Sequence, residues 1–359
     1  MSTTKKQLDF TGQNIYLGID THKKSFTITI EGELMVYKTF SQPSDVDLLV
    51  SYLHKNYPGA NYFAAYEAGF SGFWIRRELQ ASGINCIVVN PCDVPTTDKE
   101  KKQKRDRIDS RKLARFLKHG VLEAIHIPDE ETQQDRSLIR TRKRLVGNKT
   151  RCRNRIKSLM DFYGVKIPEK FQNSGTHWSK RFMGWLNEVK LGHKSGEQSL
   201  RLLIREAEYL RELLLDAERS IRILSKSDRY KENVDLLLSV PGIGRLTAMH
   251  LLTEIGDIRR FKSLDHLSSY IGLIPNVYAS GEKERIGDMT KRGSKHLRAY
   301  IIESSWVAIR NDPAMGLKYH ELCTRMKGNK AIIRIARKLI NRIRYVLTNK
   351  EEYELAVAA

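Results

Sequence analysis

The hydrophobic positions divide the chain into three textures. From Ile15 to about His126, short apolar runs alternate with amphipathic ones. Ile15–Asp20, Ser25–Glu31 and Leu34–Phe40 are β-rich and closely spaced, the pattern of an antiparallel meander. Asn61–Glu67 and Ile84–Asn90 predict two more strands, with a helix around Ser71–Ala81 between them and another over Ile108–Lys118. Strands followed by strand–helix–strand predict a layered α/β domain over residues 1–128.

The period then changes. Leu138, Leu145, Cys152 and Leu159 recur every seven residues, and Leu203, Ala207, Leu210, Leu214, Ala217, Ile221 and Leu224 alternate steps of four and three. Both are coiled-coil seams and predict a helical region over 129–230. Its two long helices, separated by Lys166–Gly196, either fold back as an antiparallel hairpin or pair between subunits. The pattern assigns no role to 166–196, which carries Trp178 and Trp185. Short apolar helices from Val234 onward predict a small, mainly helical domain over 231–359.

Charge changes the picture most. The 359 residues include 63 Lys and Arg against 42 Asp and Glu, a net charge of +21. A body so far from neutrality repels itself and calls for an anionic partner. Nucleic acid fits best, because each phosphate contact releases counterions. Lys99–Lys118 holds ten basic residues, among them Lys104, Arg105, Arg107 and Arg111, against three acids. Arg136–Lys157 holds ten more and no acid, including Arg140, Arg142, Lys143, Arg144, Arg151, Arg153 and Arg155. A merely solvated helix face mixes signs; these two segments are expected to bind nucleic acid. Val240-Pro-Gly-Ile-Gly244, between two apolar stretches, looks like a helix-hairpin-helix, in which Gly242 and Gly244 would bring backbone N–H groups to a phosphate.

Four scattered cysteines without a CxxC pair argue against a zinc site or a disulfide framework and for free thiols in a reducing cytoplasm. Met1–Asp9 lacks a secretory apolar core, and no apolar run approaches the ~18 residues of a membrane span. The expectation is a cytoplasmic protein without a membrane partner.

Candidate chemistry comes from carboxylates. Asp20 and Glu67 each end an apolar strand, and Asp106 and Asp109 stand three apart on one face of a helix. If the two strands are parallel neighbours, their carboxylates emerge at one sheet edge, where cations are needed to offset repulsion. Oxygen-only ligands suit Mg²⁺ or Mn²⁺, and a pair of such ions clamps the attacking and leaving oxygens of a phosphodiester. Taken singly, each carboxylate reads as a strand-end turn or a helix-dipole residue. Asp20-Thr-His-Lys-Lys24 lacks the glycine-rich turn of a sugar-kinase phosphate loop. Ser280, before Gly281 in an expected exposed turn, has no adjacent base and by itself reads as a turn residue.

Ile19-Asp20, Tyr66-Glu67, Arg105-Asp-Arg-Ile-Asp109, Val240-Pro-Gly-Ile-Gly244 and Tyr278-Ala-Ser-Gly281 with Thr290-Lys-Arg-Gly293 together resemble the DEDD serine transposases of bacterial insertion sequences, which include the Piv-type invertases. The resemblance implies an RNase H-like, RuvC-type amino-terminal domain and a carboxy-terminal transposase domain. It implies Asp20, Glu67, Asp106 and Asp109 as the metal-binding tetrad and Ser280 as nucleophile. Donor and target DNA, a structured noncoding guide RNA, and a homodimer or tetramer that completes the active site on assembly are the partners it implies. The place would be a bacterial cytoplasm, in association with the nucleoid. Two other readings compete: a RuvC-like junction nuclease using activated water, and a non-catalytic RNA-binding protein built on the basic helices.

Overall fold

A computed structural model describes residues 9–96, 106–280, 283–290 and 292–355, with Ser174, 277–280 and 283–286 described by backbone alone. The chain divides into two compact units, Met1–Ile127 and Pro128–Ala359.

The first unit is a mixed α/β layer structure. Strands β1 (Asn14–Thr21), β2 (Ser25–Glu31) and β3 (Val36–Pro43) form the antiparallel meander, and β4 (Asn61–Glu67) and β5 (Asn85–Val89) add in parallel beside β1, in the order β3-β2-β1-β4-β5. Strand alternation sorts the faces. Ile15, Leu17 and Ile19 of β1 and Phe26, Ile28 and Ile30 of β2 share a buried core with α1 (Val46–Asn56) and α2 (Trp74–Ala81). Helix α1 has no counterpart in the sequence-based expectation. Asp45 caps it, accepting from the Leu48 N–H at 3.0 Å.

The opposite face carries Gly18 and Thr29 and receives helix α3 (Asp106–Lys118). A Cβ on Gly18 would stand 2.0 Å from the Ser110 carbonyl oxygen and 2.4 Å from the Ala114 nitrogen. The helix backbone therefore lies directly on β1. Ser110 and Thr29 bridge hydroxyl to hydroxyl at 2.9 Å in this buried contact.

The described residues of the second unit are helical apart from one hairpin. Helices α4 (Glu130–Phe162) and α6 (Lys194–Leu224) pack antiparallel, since Arg142 meets Glu218 while Arg155, further along α4, meets Glu206. Of the two arrangements open to the seams, the chain folds the helices back on each other. Cys152, Ile156 and Met160 pack with Leu200, Ile204, Ala207 and Leu210. The stretch 166–196 completes that core: α5 (Lys180–Glu188) and the turn before it insert Phe171, Phe182 and Leu186, and Trp178 and Trp185 pack alongside.

Further on come α7 (Lys231–Leu238), α8 (Arg245–Ile255), α9 (Leu264–Ile271), the hairpin β6 (Pro275–Ser280)–β7 (Lys283–Met289), α10 (Lys295–Asn311), α11 (Pro313–Cys323) and α12 (Gly328–Asn349). The regions 129–230 and 231–359, read separately in the sequence, lie together in this unit. Helix α4 joins them, with Ile139 in the core of the later helices and Cys152 in that of the hairpin. Among the described residues no helix is long and apolar enough to cross a membrane.

Part of the α4 charge is structural. Arg140 grips buried Glu254 of α8 with two hydrogen bonds of 2.7 and 2.8 Å, and Arg136 stands 3.7 Å from the same carboxylate. Burial alone would raise the Glu254 pKa, but the bond from Arg140 and the two guanidinium charges outweigh it and hold it low. One turn earlier, His250 is buried with neither ring nitrogen hydrogen-bonded among the described residues, its ring 4.4 Å from that of Tyr300. Burial pushes its pKa down to about 4; Glu254 opposes the shift, and Lys143, His296 and Arg140 reinforce it.

A linked acid sensitivity follows. Between the ordinary His250 value of 6.5 and its folded value of about 4, the unfolded chain binds a proton that the folded chain refuses. Stability is full above the former and falls as the pH drops through this window, by about 3 kcal/mol from this group. Urea denaturation of the second unit between pH 7 and 4 measures it. His250→Leu is expected to flatten the slope above pH 4.5, leaving the loss from Glu254 below it.

Candidate active site and nucleic-acid interface

The parallel pairing of β1 and β4 sets the site. The last registered pair is Ile19 opposite Tyr66, and the next residue on each strand is Asp20 and Glu67. Both carboxylates therefore leave the sheet at one edge, the juxtaposition that the sequence made conditional on neighbouring parallel strands. The adjoining loops are tied down. Thr21 and Ser71 lie hydroxyl to hydroxyl at 3.2 Å, and the buried Tyr66 hydroxyl donates to the Gly72 carbonyl at 2.9 Å. Burial raises the Tyr66 pKa well beyond the usual phenol range, so this donor stays protonated.

Gly18 then brings α3 to the same edge. Asp106 arrives near Asp20 through a residue that the sequence did not single out. His22 Nε2 lies 3.4 Å from Asp20 Oδ2 and 3.1 Å from Asp106 Oδ2. One ligand atom from each of Asp20, His22 and Asp106 falls within 4.8 Å of the others. The signal was present in the sequence, two residues past the strand-end aspartate, but a single exposed histidine in a Lys-rich turn carries no periodicity to mark it.

Asp109 is placed differently. It sits one turn along α3, its Oδ1 3.6 Å from the buried Lys112 ammonium, which also donates to Thr96 Oγ1 at 3.1 Å. Its Oδ2 is buried and has no hydrogen-bond partner among the described residues. A buried carboxylate oxygen left unmatched costs free energy unless something cationic meets it. A hard divalent cation is a group that would meet such an oxygen. Glu67 and Asp109 fall outside the compact Asp20–His22–Asp106 triplet.

Ser280 ends β6, paired in register with Lys283. The turn expected at this serine is thus the last position of a strand.

The basic residues separate by their partners. Arg140, Arg142 and Arg155 make ion pairs with Glu254, Glu218 and Glu206, and Arg153 covers the Trp178 ring at 4.7 Å. Lys143 reaches His296 and the face of Tyr300. Arg107, Arg144 and Arg151 are exposed and make no ion pair with an acid among the described residues; Arg111, also exposed, donates to Thr39 Oγ1 at 3.2 Å. Asn148, Arg151, Asn154, Arg155 and Ser158 of α4 line an open groove of about 730 Å³ together with Glu206. Lys104 and Arg105 lie outside the described residues.

The predicted helix-hairpin-helix consists of α7, a turn and α8. Gly242, at φ +90°, is held by packing: a Cβ there would meet the Ser304 carbonyl oxygen of α10 at 2.2 Å. Gly244 caps α8 with no side-chain cap, and a Cβ there would meet nothing within 4 Å, so its side of the turn is open.

Comparison with known proteins adds two family profiles. Residues 17–165 match a DEDD-type IS110 profile described as transposase, and residues 234–320 match one described as transposase, IS116/IS110/IS902 family. The putative transposase y4rJ of Sinorhizobium fredii is 30% identical over 302 residues, 76% of this chain and 74% of that protein. The putative transposase y4qE of the same organism is 30% identical over 259 residues, 71% of this chain but 60% of its own length. The transposase for insertion sequence element IS1111A of Coxiella burnetii is 27% identical over 294 residues, 79% of this chain and 77% of its own. The DEDD type of the first profile suggests use of a divalent metal.

Proposed function

Because the chain belongs to the IS110/IS116 family of transposases, we propose that it cuts and rejoins DNA with Ser280 as nucleophile and a carboxylate-held divalent cation as electrophilic partner. The observation that carries this reading is the convergence of Asp20 and Glu67 with α3 at one sheet edge. An RNase H-like character of the first unit is part of the proposal.

Asp20, Glu67, Asp106 and Asp109 hold the cation, Mg²⁺ or Mn²⁺. When bound, it supplies charge stabilisation at the phosphoryl oxygens and lowers the proton affinity of a hydroxyl nearby. The Ser280 oxygen forms a bond to phosphorus and gives up its proton. The phosphorus–oxygen bond to one sugar breaks, and that sugar oxygen takes up a proton and leaves as a hydroxyl. In rejoining, a sugar hydroxyl attacks the phosphoserine and releases Ser280, so the bond energy of the first phosphodiester is conserved.

Donor and target DNA are the substrates in this reading. A structured noncoding RNA encoded by the same element pairs with them, leaving the protein to hold backbone and shape. The unpaired charge on α4, Arg144 and Arg151 above all, is the platform we assign to that RNA. A dimer or tetramer supplies the several active sites that strand exchange requires.

Asp20→Asn and Glu67→Gln test the reading on a plasmid carrying the coding sequence with its own flanking DNA. Each is expected to lower the yield of rejoined DNA by about 10³-fold or more, with nucleic-acid binding retained. Unchanged rejoining in both variants would favour a non-catalytic binding protein. Salt titrations separate the two groups of α4 arginines. Arg144→Ala and Arg151→Ala should each weaken RNA binding and reduce the log–log salt slope by about one. Arg140→Ala should instead destabilise the second unit by about 3 kcal/mol, because Glu254 is left buried beside Arg136 alone.

A further inference from the structure

We propose that His22 is a nitrogen ligand of the same cation, bound beside Asp20 and Asp106, and that it biases the site toward Mn²⁺ over Mg²⁺. The inference rests on the divalent-cation reading above and goes beyond it, because an all-carboxylate tetrad contains no nitrogen.

Three observations carry it. First, position: Nε2 is 3.4 Å from Asp20 Oδ2 and 3.1 Å from Asp106 Oδ2. Adjacent donors around an octahedral ion with bonds of about 2.1 Å stand about 3 Å apart, so the spacing is that of atoms sharing one ion. Second, the turn is fixed. The His22 N–H donates to the Ser25 carbonyl at 2.9 Å, and Ser44 holds the next two residues through the Lys23 and Lys24 carbonyls at 3.1 and 3.3 Å. The imidazole therefore stands on a pinned backbone. Third, access: the His22 side chain is 47% exposed and Asp106 55%, against 22% for Asp20. The ion would lie at the mouth of the site, open to water and to a phosphate oxygen.

The chemistry of the donor set then decides the preference. Mg²⁺ takes oxygen almost exclusively and keeps its waters, whereas imidazole nitrogen suits transition ions. One nitrogen among carboxylates leaves both ions admissible and shifts the balance toward Mn²⁺. The other arrangement this geometry allows is an imidazolium paired with the two carboxylates in place of the ion.

Mn²⁺ alone, added to the full-length chain, distinguishes these. Pulsed electron paramagnetic resonance of the Mn²⁺ complex is expected to show ¹⁴N modulation from a directly bound imidazole. In His22→Ala that modulation should vanish and Mn²⁺ affinity, measured by calorimetry, should fall by about tenfold or more, while Mg²⁺ affinity falls less. Circular dichroism of the variant checks that the fold is intact. Mn²⁺ bound to the wild-type chain without ¹⁴N modulation, or bound equally well by His22→Ala, would overturn the role of His22 and leave the carboxylate site standing. If the wild-type chain binds no Mn²⁺ while Mg²⁺ binds and is lost in Asp20→Asn, the histidine is again excluded. If neither ion binds, the metal reading itself falls.

Discussion

Gly18→Val is expected to abolish DNA rejoining and to destabilise the first unit by about 3 kcal/mol or more, although residue 18 carries no chemistry. The added side chain would occupy the space of the Ser110 carbonyl oxygen, 2.0 Å from its Cβ, and of the Ala114 nitrogen at 2.4 Å. These are backbone atoms of a helix, which cannot step aside as a flexible side chain can. Helix α3 must therefore lift from β1, breaking the buried Thr29–Ser110 contact and exposing Leu113 and Ala114. Asp106 and Asp109 travel with it, so cation binding should be lost together with stability. Thermal denaturation and Mn²⁺ calorimetry on the same preparation check both. Gly147→Ala is the control: it lies inside α4 with nothing within 4 Å of a Cβ. That substitution is expected to be neutral or to stabilise by about 0.5–1 kcal/mol.

Ser280→Ala is expected to have the larger chemical effect and almost no structural one. The backbone at Ser280 is strand, paired with Lys283, a conformation sterically open to alanine. If the serine oxygen takes the phosphate, its removal eliminates the covalent intermediate outright, and rejoining should fall by about 10⁴-fold or more. Thermal stability and nucleic-acid affinity should stay close to those of the wild-type chain. Activated water as the nucleophile would give the opposite result, with cleavage persisting in the variant. Rejoined product and nicked DNA, quantified in one assay, separate the two chemistries.

The sheet of the first unit could be read from sequence because its apolar runs are short and end at turns; Asp20 and Glu67 were placed by standing at the ends of two such runs. What the strands could not announce was which helix lands on them. Gly18 is a single small residue in an apolar run, and its meaning depends on Ser110 and Ala114, more than ninety positions away. Helix α1 buries Val46, Leu49 and Leu53 behind an Asp45 cap, but Leu48, Val50 and Tyr52 between them blur the helical period in the sequence. His22 escaped because its partners come from two different elements.

On α4 the charge count was plain, but its division was not. The acids that neutralise Arg142 and Arg155 lie on α6 and the one that neutralises Arg140 on α8, and only the folding of these helices onto α4 brings them opposite. Linear charge density therefore overstated the surface available to nucleic acid. The hairpin β6–β7 also contrasts with the exposed turn expected at Ser280: pairing of Val277 with Ile286, Tyr278 with Arg285 and Ser280 with Lys283 makes the segment a ladder.

The proposal turns on what becomes of the phosphate at the moment of cutting. Wild-type chain, together with any RNA that copurifies with it, and Mn²⁺ can be incubated with the plasmid carrying the flanking DNA, then denatured, digested with nuclease and trypsin, and examined by mass spectrometry. A nucleotide joined through phosphate to the peptide containing Ser280, absent from Ser280→Ala and from Asp20→Asn, is the predicted result. Cut DNA whose ends carry only free hydroxyl and phosphate groups, with no peptide bearing a nucleotide, would contradict it.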